Sequence, residues 1–199
     1  MADIYPPPTS FQERAYFKSL EQYQTDYEHS IQNPEAYWAE KAGEFHWYKK
    51  WDTIRSYNYN MDEGPISIKW FEGGKTNVVY NCLDRHLETR GQKTAILWEG
   101  DEPSEVRTLT YTELHREVCR AANALRSLGV DRGDRVVIYM GMVPEAAVAM
   151  LACTRIGALH SIVFGGFSSE ALADRIVDSG SRVVLTMDEG KRAGRRIPL

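Results

Sequence analysis

The chain has 199 residues, of which 43% are hydrophobic and 26% are charged, and its formal net charge is −4. These values are typical of a folded globular protein that can bury one sizeable core, and they argue against disorder. The acidic balance disfavours a general nucleic-acid binder or a membrane-surface binder, since both usually carry a basic excess.

The N-terminal sequence, the hydropathy and the cysteines argue against further classes of protein. The N-terminus has no basic start followed by an apolar run, so we expect no signal peptide, and no stretch approaches the roughly 18 apolar residues of a membrane helix. Cys82, Cys119 and Cys153 are far apart and lack C-x-x-C spacing, which disfavours a disulfide framework or a zinc site. We therefore expect a cytoplasmic protein with reduced thiols and no metal site in this chain, binding neither nucleic acid nor membrane.

Residues 1–75 form an aromatic and polar first part. After the extended "YPPPTS", apolar spacing allows a helix over residues 10–32, and a second short helix follows, with Asn33 as its cap and Pro34 at its first position. Four tryptophans lie in this part: Trp38, Trp47, Trp51 and Trp70. We interpret the part as an amphipathic covering segment that packs its rings on a larger body, rather than as an aromatic binding platform.

From residue 76 onwards, helices and strands alternate. Helices are predicted over 76–90, 110–128, 144–156 and 168–179, and strands over 93–99, 134–140, 158–164 and 181–187. Thr110 and Glu113 have the spacing of a capping box. This alternation predicts an α/β fold: the first part of a doubly wound, mostly parallel sheet with flanking helices. A last strand followed only by a loop leaves that domain incomplete, so we expect the chain to be the leading piece of a larger protein.

One glycine motif looks like a phosphate-binding P-loop but lacks a required residue. "WFEGGKTN" contains Gly74-Lys75-Thr76, but Lys69 occupies the position of the glycine that would let the backbone curl around the phosphates. We therefore predict a glycine turn that leads into a helix capped near Thr76 or Asn77.

A second glycine motif, "VFGGFSSEALADRI", joins a strand to a helix through Gly165 and Gly166. Such a turn lies at the carboxyl edge of a parallel sheet, where ligands of open α/β folds bind, and glycines allow a ligand to approach the backbone closely. Glu170, in the first turn of the helix, opposes an anion there. The motif is thus compatible with close approach of an uncharged ligand chain, or with a simple tight turn.

The chain closes on a basic cluster, "KRAGRR", directly after the last predicted strand. Arginine forks match phosphate oxygens with paired hydrogen bonds, so two arginines flanking Ala193-Gly194 could close on one phosphate. The alternative is a solvated loop. The five histidines have neither catalytic nor metal-binding spacing, so the residues by themselves identify no catalytic group.

Several long blocks carry a resemblance to a known family. "WFEGGKTNVVYNCLDRHL", "LTYTELHREVCRAANALRSLGV", the run from "GDRVVIYM" to "VVLTMDEG" and the final "RAGR" resemble the N-terminal part of AMP-forming acetyl-CoA synthetases, of the acyl-adenylate-forming superfamily. The resemblance implies an acetate–CoA ligase that forms acetyl-AMP from acetate and ATP with Mg²⁺, and then acetyl-CoA. It also implies an N-terminal covering segment over residues 1–75 and a truncated adenylation domain over 76–199.

The resemblance also assigns a role to the basic cluster. It implies that Arg192-Ala193-Gly194-Arg195 binds the 3′-phosphate of CoA, and that Gly165-Gly166 lies beside the CoA channel. The ATP loop, the magnesium ligands and the catalytic lysine are expected in the remainder of the same polypeptide, so this chain alone is predicted to be inactive. Two alternatives stay open: a close relative that prefers propionate, and a truncated, non-catalytic CoA-binding or interaction module.

Overall fold

The computed structural model describes residues 5–166 and 168–199, except for the side chain of Arg192. The chain divides into two compact units between Lys75 and Thr76. Within the described residues, no helix combines the length and the apolar character that a membrane crossing requires.

The first unit begins with three helices, α1 (Thr9–Gln12), α2 (Leu20–Gln32) and α3 (Pro34–Gly43). The long helix predicted from residue 10 is wrong in its first half. The Ser19 hydroxyl accepts a hydrogen bond from the backbone N–H of Gln22, so α2 starts there. Pro34 opens α3 as predicted, but the Asn33 side chain makes no capping bond.

A hairpin of β1 (Thr53–Asn58) and β2 (Ser67–Glu72), with a 3₁₀ turn at Met61–Glu63, completes the first unit. The sequence analysis predicted no strand here. The aromatic rings of this unit pack on one another: Trp47 lies 5.0 Å from Trp51 and 5.5 Å from Phe71 between ring centroids. That these rings also cover a larger body stays a prediction.

The second unit opens with three short turns of helix rather than the single helix predicted over residues 76–90. They are α4 (Val78–Cys82), a 3₁₀ turn (Asp84–His86) and α5 (Leu87–Arg90). The break falls at Leu83, whose backbone leaves the helical region (φ −130°, ψ −67°) while its side chain is buried. The capped start is confirmed, because the Asn77 side chain accepts from the backbone N–H groups of Val79 and Tyr80.

An antiparallel pair follows, β3 (Thr94–Glu99) and β4 (Val106–Thr110), of which only β3 was predicted. Helix α6 (Tyr111–Ser127) starts at the predicted capping box. The Thr110 hydroxyl accepts from the backbone N–H of Glu113 at 3.2 Å, and the Glu113 carboxylate accepts from the backbone N–H of Thr110 at 2.8 Å.

The centre of the unit is a parallel sheet of β5 (Arg135–Met140), β6 (Leu159–Phe164) and β7 (Val183–Thr186) in the order β6-β5-β7. The crossovers are α7 (Pro144–Ile156) and α8 (Ser169–Ser179). Alternate residues of β5 face opposite sides: Val136 and Ile138 pack against α6 and α7, and Val137 and Tyr139 pack with α8. The predicted α/β class, with helices on both faces of a parallel sheet, is confirmed.

The basic C-terminal segment forms a third hairpin, β8 (Glu189–Arg192) and β9 (Arg195–Pro198). The expectation of a loop after the last parallel strand is therefore wrong. Strand pairing across a two-residue turn satisfies backbone groups that a loop would leave to water.

Candidate functional site at the carboxyl edge of the parallel sheet

A cleft of about 420 Å³ lies at the carboxyl edge of the parallel sheet. It is lined by Gly141, Met142, Phe164, Gly165, Gly166, Gly190, Lys191, Ile197 and Leu199. These residues come from the ends of β5 and β6 and from both strands of the C-terminal hairpin. The fold thus brings together the two motifs that the sequence analysis singled out separately, in the place where open α/β sheets bind ligands.

The glycine turn after β6 lies directly against other atoms. A methyl group added at Gly165 would lie 3.1 Å from Cδ2 of Leu199 and 3.4 Å from the carbonyl oxygen of Met140. One added at Gly166 would lie 3.0 Å from the ring of Phe164. The missing side chains therefore keep backbone exposed to the cleft that a larger residue would cover.

The start of α8 carries its own anion. Ser168 caps the helix, and the pKa of the Glu170 carboxyl is lowered, first by a hydrogen bond from its own backbone N–H and then by the hydroxyls of Ser168 and Ser169. An ionised carboxylate thus occupies the positive end of the helix. This agrees with the sequence argument that the glycine turn is not itself a phosphate cradle.

The turn of the C-terminal hairpin has a left-handed backbone at both of its central residues. Ala193 has φ +50° and Gly194 has φ +72°, the combination that defines a type I′ turn. For Ala193 this conformation costs about 1–2 kcal/mol, because its Cβ crowds the following carbonyl oxygen. Such a turn persists only where other contacts stabilise it.

One such contact comes from a carboxylate of the β3–β4 loop. The backbone N–H of Ala193 donates to Oδ1 of Asp101 at 2.8 Å, and the N–H of Gly194 donates to Oδ2 at 2.5 Å. Beside it, the ammonium group of Lys191 forms an ion pair with the carboxylate of Glu105. The loop between β3 and β4 therefore contacts the basic hairpin at two adjacent points.

The arginines of the hairpin differ in their placement. Arg195 is exposed and lies two residues before Ile197, which lines the cleft, so strand alternation places Arg195 on the same face of β9 as Ile197. Arg196 lies on the other face of β9, across from Lys191, and forms an ion pair with Glu189 at 3.0 Å. The backbone of Arg192 pairs with that of Arg195, and its side chain, predicted as half of the clamp, lies outside the described part of the chain.

Sequence reasoning missed Asp101 and Glu105. They lie in the acidic stretch "EGDEPSE", which precedes a strand that was not predicted and gives no local signal of a role. Across the described residues, no group of three or more His, Cys, Asp or Glu side chains is arranged to hold a metal ion. The site is a partly apolar cleft with the cationic Lys191 among its lining residues.

With the fold and the cleft established, comparison with known proteins gives the class. Residues 83–197 match the AMP-binding enzyme family, and the chain belongs to that family. Residues 23–82 match the family described as the acetyl-coenzyme A synthetase N-terminus. The chain thus corresponds to the N-terminal part of proteins of that kind, and the resemblance inferred from the motifs is confirmed.

Individual relatives agree with this assignment. The chain is 54% identical over 195 residues to acetyl-coenzyme A synthetase of Yersinia pestis (strain Pestoides F), a match that covers 98% of the chain and 29% of that protein. It is 57% identical over 197 residues to acetyl-coenzyme A synthetase of Halorhodospira halophila (strain DSM 244 / SL1), covering 98% of the chain and 30% of that protein. The chain therefore spans less than a third of the length of these relatives.

Proposed function

We propose that the chain is the N-terminal part of an acetate–CoA ligase, which forms acetyl-AMP from acetate and ATP and then transfers the acetyl group to CoA. Support comes from the match to the AMP-binding enzyme family and from relatives named acetyl-coenzyme A synthetase along nearly the whole chain. The three cysteines are free thiols, which suits a cytoplasmic enzyme.

The proposal divides the work between this chain and the remainder of the polypeptide. Residues 1–75 are the covering segment, and residues 76–199 begin the adenylation domain. The groups that bind ATP and Mg²⁺ and that activate the carboxylate are assigned to the remainder of the polypeptide, since this chain covers only 29–30% of the relatives' length. The contribution of this chain is one side of the CoA site.

A single observation carries the CoA assignment: the Gly165-Gly166 turn and the basic hairpin border the same cleft at the carboxyl edge of the sheet. CoA combines a long, uncharged pantetheine arm with a phosphate-rich nucleotide end. The exposed glycine backbone and the apolar wall of Phe164 and Ile197 suit the arm. The hairpin cations suit a phosphate.

Within the hairpin, Arg192 and Arg195 are proposed to hold the 3′-phosphate of CoA. Arg195 lies on the same face of β9 as Ile197, which lines the cleft, and a guanidinium can donate two parallel hydrogen bonds to phosphate oxygens. The 3′-phosphate is remote from the reacting thiol. Its contacts should therefore contribute to binding CoA and not to the chemistry of adenylation.

The test is the Arg195→Ala variant of the longer ligase that carries this chain. Losing one charge-assisted contact should raise the KM for CoA about ten- to a hundred-fold. The KM for dephospho-CoA, which lacks the 3′-phosphate, should change little. Acetate-dependent ATP–pyrophosphate exchange, which reports adenylation alone, should remain nearly intact.

The matched control is Arg196→Ala, which removes the same charge from the neighbouring residue on the opposite side of the strand. It should keep the preference for CoA over dephospho-CoA. If Arg195→Ala also keeps that preference while losing pyrophosphate exchange, the hairpin is structural and the clamp assignment is wrong.

A further inference from the structure

The two backbone N–H groups of the hairpin turn converge on one acceptor. In a type I′ turn successive N–H groups can point to the same side, and such a pair forms a small anion-binding concavity. Here each N–H donates to a different oxygen of the Asp101 carboxylate, at 2.8 Å for Ala193 and 2.5 Å for Gly194. Asp101 thus holds both central residues of the turn in their left-handed conformation.

The loop that carries Asp101 is itself attached to the cleft. The indole N–H of Trp98, at the end of β3, donates to the carbonyl oxygen of Met142 at 2.7 Å, and Met142 lines the cleft. The loop is closed by a hydrogen bond of 2.7 Å from the N–H of Gly100 to the carbonyl oxygen of Glu105. Asp101 is therefore presented from a loop joined to the sheet edge.

Gly100 keeps this loop tight. A methyl group at Gly100 would lie 2.6 Å from Oε2 of Glu105 and 2.9 Å from the ring of Trp98. Glycine at this position therefore allows both side chains to pack against the backbone of the β3–β4 loop. The Glu105 carboxylate in turn pairs with Lys191 on β8. Two contacts from one loop, at the turn and one residue before the end of β8, restrain both the position and the tilt of the hairpin.

We propose that Asp101 is the positioning residue of the CoA clamp: it fixes the Ala193-Gly194 turn against the β3–β4 loop so that Arg195 is held at the rim of the cleft. This proposal rests on the proposed function of the hairpin. In this proposal Asp101 acts through the hairpin and not by contacting CoA, because its two carboxylate oxygens accept from the backbone N–H groups of Ala193 and Gly194. A carboxylate near a phosphate site repels the phosphate. This repulsion is offset because the carboxylate preorganises the cation that binds the phosphate.

A competing interpretation treats Asp101 as a placeholder that an incoming phosphate displaces from the turn amides. The two interpretations predict opposite signs. If Asp101 positions the hairpin, its removal weakens CoA binding. If Asp101 competes with the phosphate, its removal strengthens CoA binding. The Lys191–Glu105 pair favours positioning, because a second contact from the same loop to the same hairpin indicates that the loop holds the hairpin through both contacts together.

The test compares Asp101→Ala and Asp101→Asn in the longer ligase, with Glu102→Gln as the control that removes an exposed charge from the next residue of the same loop. We expect Asp101→Ala to raise the KM for CoA about tenfold and to reduce the preference for CoA over dephospho-CoA, with pyrophosphate exchange changed less than about twofold. Asp101→Asn, whose amide oxygen can still accept one N–H, should recover part of the preference. Glu102→Gln should match the unmodified enzyme.

Hydrogen exchange provides a readout that does not depend on CoA. In the longer ligase without CoA, the amide hydrogens of Ala193 and Gly194 should exchange faster in both Asp101 variants than in the Glu102 control. Unchanged exchange, or a lower KM for CoA in Asp101→Ala, would overturn the positioning role. An unchanged CoA preference in Asp101→Ala, with the preference lost in Arg195→Ala, would overturn positioning and leave the clamp standing. An unchanged preference in Arg195→Ala would overturn the clamp and the positioning role with it.

Discussion

The carboxylate of Asp84 and the guanidinium of Arg155 form a two-point contact, with Nη1 to Oδ2 at 2.8 Å and Nη2 to Oδ1 at 2.7 Å. Asp84 lies in the short 3₁₀ turn after α4, and Arg155 lies in the last turn of α7. The side chain of Asn77 adds a hydrogen bond of 3.1 Å to the carbonyl oxygen of Thr154. These contacts attach the start of the second unit to the end of a core helix.

The Asp84–Arg155 contact makes a prediction about pH. Burial acts first on the Asp84 carboxyl and would raise its pKa, but the hydrogen bonds and charge of Arg155, with His115 beside them, outweigh burial and lower the pKa. A carboxyl with a lowered folded pKa stabilises the fold above its unfolded pKa of about 3.9, and this contribution is lost as the pH falls through the folded pKa.

We therefore expect Asp84→Asn to lower the free energy of unfolding by about 1–3 kcal/mol at pH 7, because it leaves a half-buried guanidinium without its carboxylate. The difference from the unmodified chain should shrink near pH 3. Urea unfolding at both pH values measures it, with Asp174→Asn, at an exposed position of α8, as the control. An equal destabilisation at both pH values would contradict the electrostatic account.

The thiol of Cys153 should be unreactive in the folded chain. Cys153 is fully buried between α7 and its neighbours, and burial raises the pKa of its thiol to about 11. Because the thiolate is the reacting species, iodoacetamide at pH 8 should leave Cys153 unmodified and label the exposed Cys82 first, although burial also raises the pKa of the Cys82 thiol. Mass spectrometry after labelling with and without urea locates the modified thiols. Rapid labelling of Cys153 without urea would show that iodoacetamide reaches the core around Cys153 in the folded chain.

The hairpin turn should be sensitive to backbone substitution at Gly194 and not at Gly190. Neither glycine has an atom within 4 Å of an added Cβ, but only Gly194 has a positive φ, of +72°. Gly194→Ala should therefore weaken the hairpin by about 1–2 kcal/mol through backbone strain alone. Gly190→Ala should cost much less. Hydrogen exchange of the β8 and β9 amides compares the two, and equal protection in both variants would argue against the type I′ turn.

The 199-residue chain by itself should show no acetate-dependent ATP–pyrophosphate exchange. Positioning of ATP and of the carboxylate supplies most of the rate in such transfer reactions, and the proposed division of work assigns that positioning to the remainder of the polypeptide. The longer ligase serves as the positive control in the same assay. Exchange above background by the purified chain would show that its residues bind and activate both substrates.

Much of the fold followed from local chemistry. The limits of α6, α7 and α8 could be predicted because their caps lie within three residues of the helix ends: the Thr110–Glu113 box, Pro144 at the start of α7, and the left-handed Gly157 and Gly180 at two C-termini. The buried strand β5 could be predicted as well, since a continuous run of β-branched residues is typical of a strand in a sheet that is covered on both faces.

The sequence by itself thus determined the α/β class, the limits of α6, α7 and α8, and the two motifs of the candidate site. Only the tertiary structure decided where α4 breaks, that residues 106–110 form a strand, and that the basic segment is a hairpin. The physical reason is distance along the chain. Leu83 leaves the helical region where it is buried in the core, β4 exists because β3 pairs with it, and Ala193 and Gly194 donate to a carboxylate 92 and 93 residues away. Contacts of that range have no period or spacing in the sequence, so the hairpin and Asp101 became visible only once the chain was folded.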